Sequence, residues 1–247
     1  MSRLQIHQLS KQFDGQEILA DVTLTLEDGE FVSLLGPSGS GKSTLFHLIG
    51  GLYTPDQGSI ILDAHDITGK RGEISYMPQS PSLFPWRTIL ENVVLAQELK
   101  EAPNRQKAIE MLTKAGLEEY INSYPHQLSG GMKQRAAFVR SLLSPQKAIL
   151  LDEPFSALDE FTRMEMQKWL LSIWEEERPT VLFVTHDIEE AIFLSDRIVV
   201  LGNRPANIIK EISIPFSRPR DEEIRLSEDF LHLKKEIYQL LRSVLND

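Results

Sequence analysis

The sequence predicts an α/β fold: a mostly parallel sheet, an antiparallel β region at the N-terminus and an inserted helical subdomain. Three observations lead there. Gly36-Pro37-Ser38-Gly39-Ser40-Gly41-Lys42-Ser43-Thr44 joins the apolar run Phe31-Val32-Ser33-Leu34-Leu35 to the helical stretch 45–49. Apolar runs at 148–152, 181–185 and 197–201 alternate with helical stretches, the pattern of a parallel sheet covered on both faces. From about 88 to 143 the periodicity becomes helical throughout.

In chain order, 3–9 and 17–26 alternate apolar and polar residues and read as strands with one wet face. Between them Phe13 sits in the turn-like stretch Lys11-Gln12-Phe13-Asp14-Gly15, as a packing aromatic or a platform for a nucleotide base. Next comes the pattern G-x-x-x-x-G-K-S, a phosphate-binding loop, and with it a P-loop NTPase core. Its glycines let the backbone wrap a phosphate with N–H groups pointing inward, and the first turn of the following helix adds partial positive charge. Lys42 reaches the terminal phosphates and the Ser43 hydroxyl ligates Mg²⁺, so the chain binds a nucleoside triphosphate.

Gly50-Gly51-Leu52-Tyr53-Thr54-Pro55-Asp56-Gln57-Gly58 breaks the helix, the strand 59–63 follows, and 73–79 reads as a short strand ending at a polar tip. Ile89, Val93 and Ala96 share one helical face, and Ile109, Leu112 and Ala115 another. Helices are expected at about 160–177, carrying Phe161, Met164, Trp169, Leu170 and Ile173, and at 227–245. The last places Phe230, Leu233, Ile237, Leu240, Leu241 and Val244 on one face, to be packed on the body.

The composition of the 247 residues, 41% hydrophobic and 25% charged, is that of an ordinary globular protein. A net charge of −10 argues against a broad electrostatic grip on nucleic acid. With no cysteine there are no disulfides, thiolate metal sites or cysteine nucleophiles. No apolar run approaches the roughly 18 residues of a membrane span. Met1-Ser2-Arg3-Leu4-Gln5-Ile6 lacks a signal-peptide core, so service at a membrane would be as a peripheral subunit.

Two further motifs carry chemistry. Ala148 to Glu153 is an apolar strand ending in two carboxylates, the Walker B arrangement: Asp152 holds Mg²⁺, and Glu153 orients or deprotonates the attacking water. Leu128-Ser129-Gly130-Gly131-Met132-Lys133-Gln134-Arg135 offers Ser129 as a helix N-cap with two glycines behind it, a second anion-binding helix N-terminus. As a capping box it is incomplete, because Met132 stands where Glu or Gln is favoured, and in isolation it is an ordinary helix start.

Taken with the rest, Leu128-Ser129-Gly130-Gly131 resembles the signature of ATP-binding cassette (ABC) ATPases. Gln79 in Met77-Pro78-Gln79 is similar to that family's Q-loop, Ser156-Ala157-Leu158-Asp159 to its D-loop, and His186 in Thr185-His186-Asp187 to its switch histidine. Phe13 matches the aromatic that stacks on adenine. The resemblance spans essentially the whole chain, in the family's order.

The resemblance implies one ABC nucleotide-binding domain over 1–247. Its RecA-like core covers about 1–87 and 144–215, its helical subdomain about 88–143 and its C-terminal tail about 216–247. It further implies a head-to-tail homodimer in which each ATP lies between the phosphate loop of one copy and the signature of the other. Gly36, Pro37, Ser38 and Gly39 to Thr44 then cradle the phosphates, with Ser43, Gln79 and Asp152 near Mg²⁺. Glu153 acts as base and His186 holds the γ-phosphate, while Gln79 and Lys42 join the catalytic set. Ser129, Gly130 and Gly131 complete the partner copy's site, and Asp159 links the halves.

A narrower similarity points to importers. Ser82-Leu83-Phe84-Pro85-Trp86-Arg87-Thr88, Tyr124-Pro125-His126-Gln127-Leu128, Arg204-Pro205-Ala206-Asn207-Ile208-Ile209 and Phe216-Ser217-Arg218-Pro219-Arg220 resemble cassettes serving nitrate, sulfonate, taurine and pyrimidine-precursor uptake. That implies an integral-membrane permease and indirectly a solute-binding protein, with the chain at the cytoplasmic face of the membrane. Pro81 to Arg87, just after Gln79, is the best candidate for an apolar groove that docks the permease, or else a set of buried core aromatics. An exporter cassette, and a cassette of DNA maintenance or translation, are the competing readings.

Overall fold

The computed structural model describes residues 3–100 and 102–246. Met1 and Ser2, at the head of the N-terminal segment read above, lie outside the described residues.

Two sheets form the body. The first is antiparallel. β1 (Leu4–Phe13) and β2 (Gln16–Leu26) make a hairpin, closed by Asp14 and Gly15 in the left-handed region. β4 (Gln57–Leu62) and β5 (His65–Asp66) extend it in the order β2-β1-β4-β5. The second sheet contains β3 (Phe31–Leu35), β6 (Ser75–Met77), β7 (Ala148–Asp152), β8 (Thr180–Val184), β9 (Arg197–Leu201) and β10 (Ile208–Ser213). Its order is β10-β9-β3-β8-β7-β6, parallel except for β10, which pairs antiparallel to β9.

The parallel strands are buried on both faces, which is why they read as unbroken apolar runs. Val32, Leu34, Leu150 and Leu182 face the antiparallel sheet and α1 (Lys42–Ile49). Phe31, Ile149, Leu151 and Phe183 face α6 (Glu160–Glu177), where Trp174 is fully buried. Leu35, Ile198 and Val200 pack with α7 (Ile188–Leu194) and α8 (Glu228–Asn246). On α8, Phe230, Ile237 and Val244 are buried and Leu233, Leu240 and Leu241 are partly covered, as the spacing requires.

The helical stretch holds α2 (Ile89–Val93), α3 (Leu95–Glu98), α4 (Arg105–Lys114) and α5 (Gly130–Leu142). Ile89, Val93, Met111, Leu112, Ala136 and Val139 form a core of their own, completed by Ile173 from α6.

Two expectations shift. On α4 the inward face runs through Ala108, Met111, Leu112 and Ala115, leaving Ile109 only partly buried. On α6, Phe161 points to solvent, 83% exposed. The buried stripe there is Met166, Leu170 and Trp174, spaced four apart. Phe161 lies five residues ahead of Met166, which at 100° per residue turns it away from that stripe.

Candidate functional site

Parallel strands end at one edge of a sheet, and that edge gathers the chemistry. β3 leads into the phosphate loop, β7 ends at Asp152, β8 leads into Thr185-His186 and β6 leads into Pro78-Gln79. Residues from four separate stretches thus converge without any being near the others in sequence.

The phosphate loop is held tightly. Gly41 caps α1 in the left-handed region at φ 95°, and it supplies no side-chain cap to the first turn. A Cβ on Gly41 would come within 2.9 Å of Leu19 and 3.1 Å of Ile18, so only glycine fits against β2. Lys42 is buried and its ammonium donates to the carbonyls of Gly36 and Pro37, each at 2.8 Å. Burial pulls its pKa below the usual lysine value, while Glu153 and Asp152 oppose that shift.

Asp152 is held above the ordinary carboxylate range, chiefly by burial. The Tyr76 hydroxyl, which donates to its Oδ2 at 3.1 Å, works against the rise, and Glu153 adds to it. Glu153 sits at φ 42°, a costly backbone conformation for a residue with a side chain. The surroundings enforce it: its N–H donates to Val184 O at 3.0 Å, and its carbonyl accepts from the Ser156 N–H and hydroxyl at 3.1 and 2.9 Å. Glu153 Oε2 lies 3.3 Å from His186 Nδ1 and accepts from Gln79 Nε2 at 3.5 Å. Gln79 also donates to Ser156 Oγ at 3.1 Å. Ser38, Lys42, Ser43, Thr44 and Glu153 line one cavity.

The turn at Thr185-His186-Asp187 is fixed from below. Thr185 Oγ1 accepts from Asp187 N at 3.0 Å and donates to the buried Glu190 carboxylate, which also accepts from Gln167 Nε2 at 3.0 Å. Burial pushes the Glu190 carboxyl up to about 7, against the Thr185 hydrogen bond; Asp187 adds to the rise, while Arg163 and His186 counter it.

The other expected residues stand apart. Ser129 caps α5, its Oγ accepting from Met132 N at 3.3 Å with no capping box. Asp159 caps α6, its carboxylate accepting from Thr162 N at 3.1 Å, and the Thr162 hydrogen bonds hold its pKa below the usual range. The two starts adjoin: a Cβ on Gly131 would meet the Thr162 methyl at 2.9 Å. None of Ser129, Gly130, Gly131 and Asp159 lines the phosphate-loop cavity. One strut joins the groups, since Gln134 on α5 donates to the Gln79 carbonyl at 3.1 Å. Phe13, 37% exposed at the hairpin tip, rests edge-on against Tyr53, ring centres 5.4 Å apart.

Residues 19–156 match the family model for the ABC transporter. The chain belongs to the ABC transporter family. The aliphatic sulfonates import ATP-binding protein of Bacillus cereus is 42% identical over 238 residues, covering 95% of this chain and 94% of that one. The nitrate import ATP-binding protein of Synechococcus elongatus is 44% identical over 83% of this chain and 77% of its own. Among solved structures, a dimeric ATP-binding cassette in a post-hydrolysis state bound to ADP and Pi superposes with a TM-score of 0.74. It is 34% identical, over 87% of this chain and 100% of that one.

Sequence reasoning missed Tyr76, which reads as an ordinary strand residue, and Glu190, which reads as a surface helix acid. It quoted Arg204 only as part of a family resemblance and gave it no site role, whereas in the structure Arg204 lines the phosphate-loop cavity. The one available signal for Arg204 was a cation three residues after the end of the apolar run 197–201.

Proposed function

We propose that this ABC ATPase powers the import of a small solute of the nitrate, sulfonate, taurine or pyrimidine-precursor kind through a membrane permease. The observation that carries the chemistry is the Glu153 carboxylate. It is locked in a strained backbone between His186 and Gln79, in the same cavity as Lys42. Relatives named for sulfonate and nitrate import, at 42% and 44% identity, support the direction of transport.

In this reading the triphosphate lies in the loop from Gly36 to Thr44, met by backbone N–H groups and by Lys42, with Phe13 against the adenine. Glu153 accepts a proton from water as the water oxygen bonds to the γ-phosphorus and the bond to ADP breaks. His186 holds the γ-phosphate and, through its contact with Glu153, keeps the carboxylate aimed. The donor set suits Mg²⁺: a hydroxyl (Ser43), an amide (Gln79) and a carboxylate (Asp152), with no group of three or more His, Cys, Asp or Glu placed to hold a metal among the described residues. Such a site relies on phosphate oxygens and water for the remaining ligands. Bound there, Mg²⁺ would neutralise charge on the phosphates.

Ser129, Gly130 and Gly131 serve the ATP of a second copy in a head-to-tail dimer, and Asp159 lies between the halves. The division into a core of about 1–87 and 144–215, a helical subdomain of about 88–143 and a tail of about 216–247 fits this use. The permease docks on Pro81 to Arg87. There Phe84 and Trp86 stack at 5.0 Å with Trp86 71% exposed. Buried Asn92 accepts from Phe84 N at 2.7 Å, and Arg140 donates to Pro81 O and Ser82 O at 2.8 Å, so the stretch is braced. No helix among the described residues is long and apolar enough to cross a membrane. In this reading the chain is a peripheral subunit at the cytoplasmic face, as importer ATP-binding subunits are membrane-associated. A solute-binding protein would act on the far side.

The test is affinity purification from native membranes followed by reconstitution of whatever multi-span protein accompanies the chain. ATP-dependent uptake of nitrate or a sulfonate into vesicles is the expected result. Co-purification with DNA-repair or ribosomal proteins and no permease would overturn the transport reading.

A further inference from the structure

The stretch Arg204-Pro205-Ala206-Asn207, singled out in the sequence, has no role in the chemistry described so far. In the fold it forms the turn between β9 and β10, and the structure places it beside the phosphate loop. Arg204 Nη2 lies 3.9 Å from where a Cβ on Gly39 would stand. Its side chain lines the same cavity as Lys42, Ser43 and Glu153. It is exposed and makes no hydrogen bond or ion pair with any described residue.

The turn itself is not free to wander. Ala206 N donates to Ile18 O at 2.9 Å, Ala20 N donates to Ala206 O at 3.0 Å, and Gly202 N donates to Asn207 O at 3.0 Å. Asn203 donates to the Val244 carbonyl near the end of α8. Ile18 and Leu19 are also the residues against which Gly41 is pressed. One strand, β2, therefore braces the phosphate loop and the Arg204 turn, fixing the spacing between them.

The charge balance gives this placement a purpose. Inside the cavity the Lys42 ammonium is already shared among loop carbonyls, and Asp152 and Glu153 stand near it. Beyond Lys42 and Mg²⁺, a triphosphate in that surrounding gains from a further cation on the open side of the loop. A guanidinium presents planar paired donors matched to phosphate oxygens, and an unpartnered one gives up no internal ion pair to do so.

We propose that Arg204 is a nucleotide-binding residue, its guanidinium pairing with the terminal phosphates from outside the phosphate loop. The proposal rests on the assignment of that loop to ATP. The test measures ATP and ADP dissociation constants of the full chain at monomeric dilution, in a Glu153→Gln background so that ATP persists. Arg204→Ala should weaken both by about 10-fold, the size of one charge-assisted hydrogen bond. Arg204→Lys should recover part of the loss, and thermal unfolding without nucleotide should not change. If Arg204→Ala binds normally while Lys42→Ala does not, the proposal is wrong and the loop assignment stands. If neither substitution weakens binding, the loop assignment itself falls, and the proposal with it. If Arg204→Ala keeps its affinity but no longer dimerises with ATP, the residue belongs to the interface between copies, which also overturns the proposal.

Discussion

Two helices of this chain begin where an anion could be met, and they begin differently. α1 starts at Gly41, which offers no side-chain cap, so its first-turn N–H groups are left to whatever occupies the loop. Around it stand a buried lysine, two carboxylates and β2 at van der Waals distance. α5 starts at Ser129, whose hydroxyl already satisfies one N–H, and a Cβ on Gly130 would meet nothing within 4 Å. One start is the floor of a pocket; the other is an open surface. The contrast fits the proposed head-to-tail use, in which the open start closes on a second copy. Gly131 divides from Gly130 in the same way, being crowded by Thr162 and so required for packing as well as for approach.

Breaking the pocket side should have the largest effect. Glu153→Gln should lower ATP turnover by about 10³-fold while equilibrium binding of ATP survives, since the proposed general base is lost and the cradle is not. Hydrolysis at the wild-type rate would remove Glu153 from the role of base.

Breaking the open side should cost less and in another currency. Gly130→Val, at the position where a Cβ meets nothing within 4 Å, should reduce turnover on the order of 10²-fold with unchanged ATP affinity at monomeric dilution. Mixing Gly130→Val with Lys42→Ala should restore part of the activity, because one composite site then has an intact loop and an intact signature. Failure of mixing to restore any turnover, with both variants folded, would argue against the head-to-tail pairing.

Two smaller changes sharpen the pocket. In Tyr76→Phe, Asp152 loses the hydrogen bond that opposes its burial, so its pKa should rise further. The acid limb of the ATPase pH profile should move to higher pH, with a loss of up to about 10-fold at neutral pH. Glu190 gives a stability effect. Its folded pKa of about 7 exceeds the ordinary 4.5, so the folded state holds this proton more tightly. The resulting stabilisation is complete below pH 4.5 and is lost as pH rises through 7, on the order of a few kcal/mol. Glu190→Gln should flatten that slope in thermal unfolding followed against pH, and a variant retaining the wild-type slope would locate the titration elsewhere.

Much of this was readable along the chain because it rests on neighbours. The phosphate loop, the strand into Asp152 and Glu153, the cap at Ser129 and the helix Glu160–Glu177 each follow from side-chain type and local period. Phe161 shows the limit of that reasoning: an apolar residue on a correctly placed helix still needs a partner, and the stripe that finds one lies elsewhere.

What tertiary structure alone decided is which distant residues meet. The sequence could not place β4 beside β1, nor β10 antiparallel at the sheet edge, because backbone pairing is set by register between segments rather than by composition. Nor could it bring Tyr76 to Asp152, Gln167 to Glu190 or Arg204 to Gly39, pairs separated by tens of residues and joined by strand order. The sequence determined the candidate groups and the strand, loop or helix start on which each stands. The sheet decided their company, because its parallel strands deliver every one of their ends to the same edge.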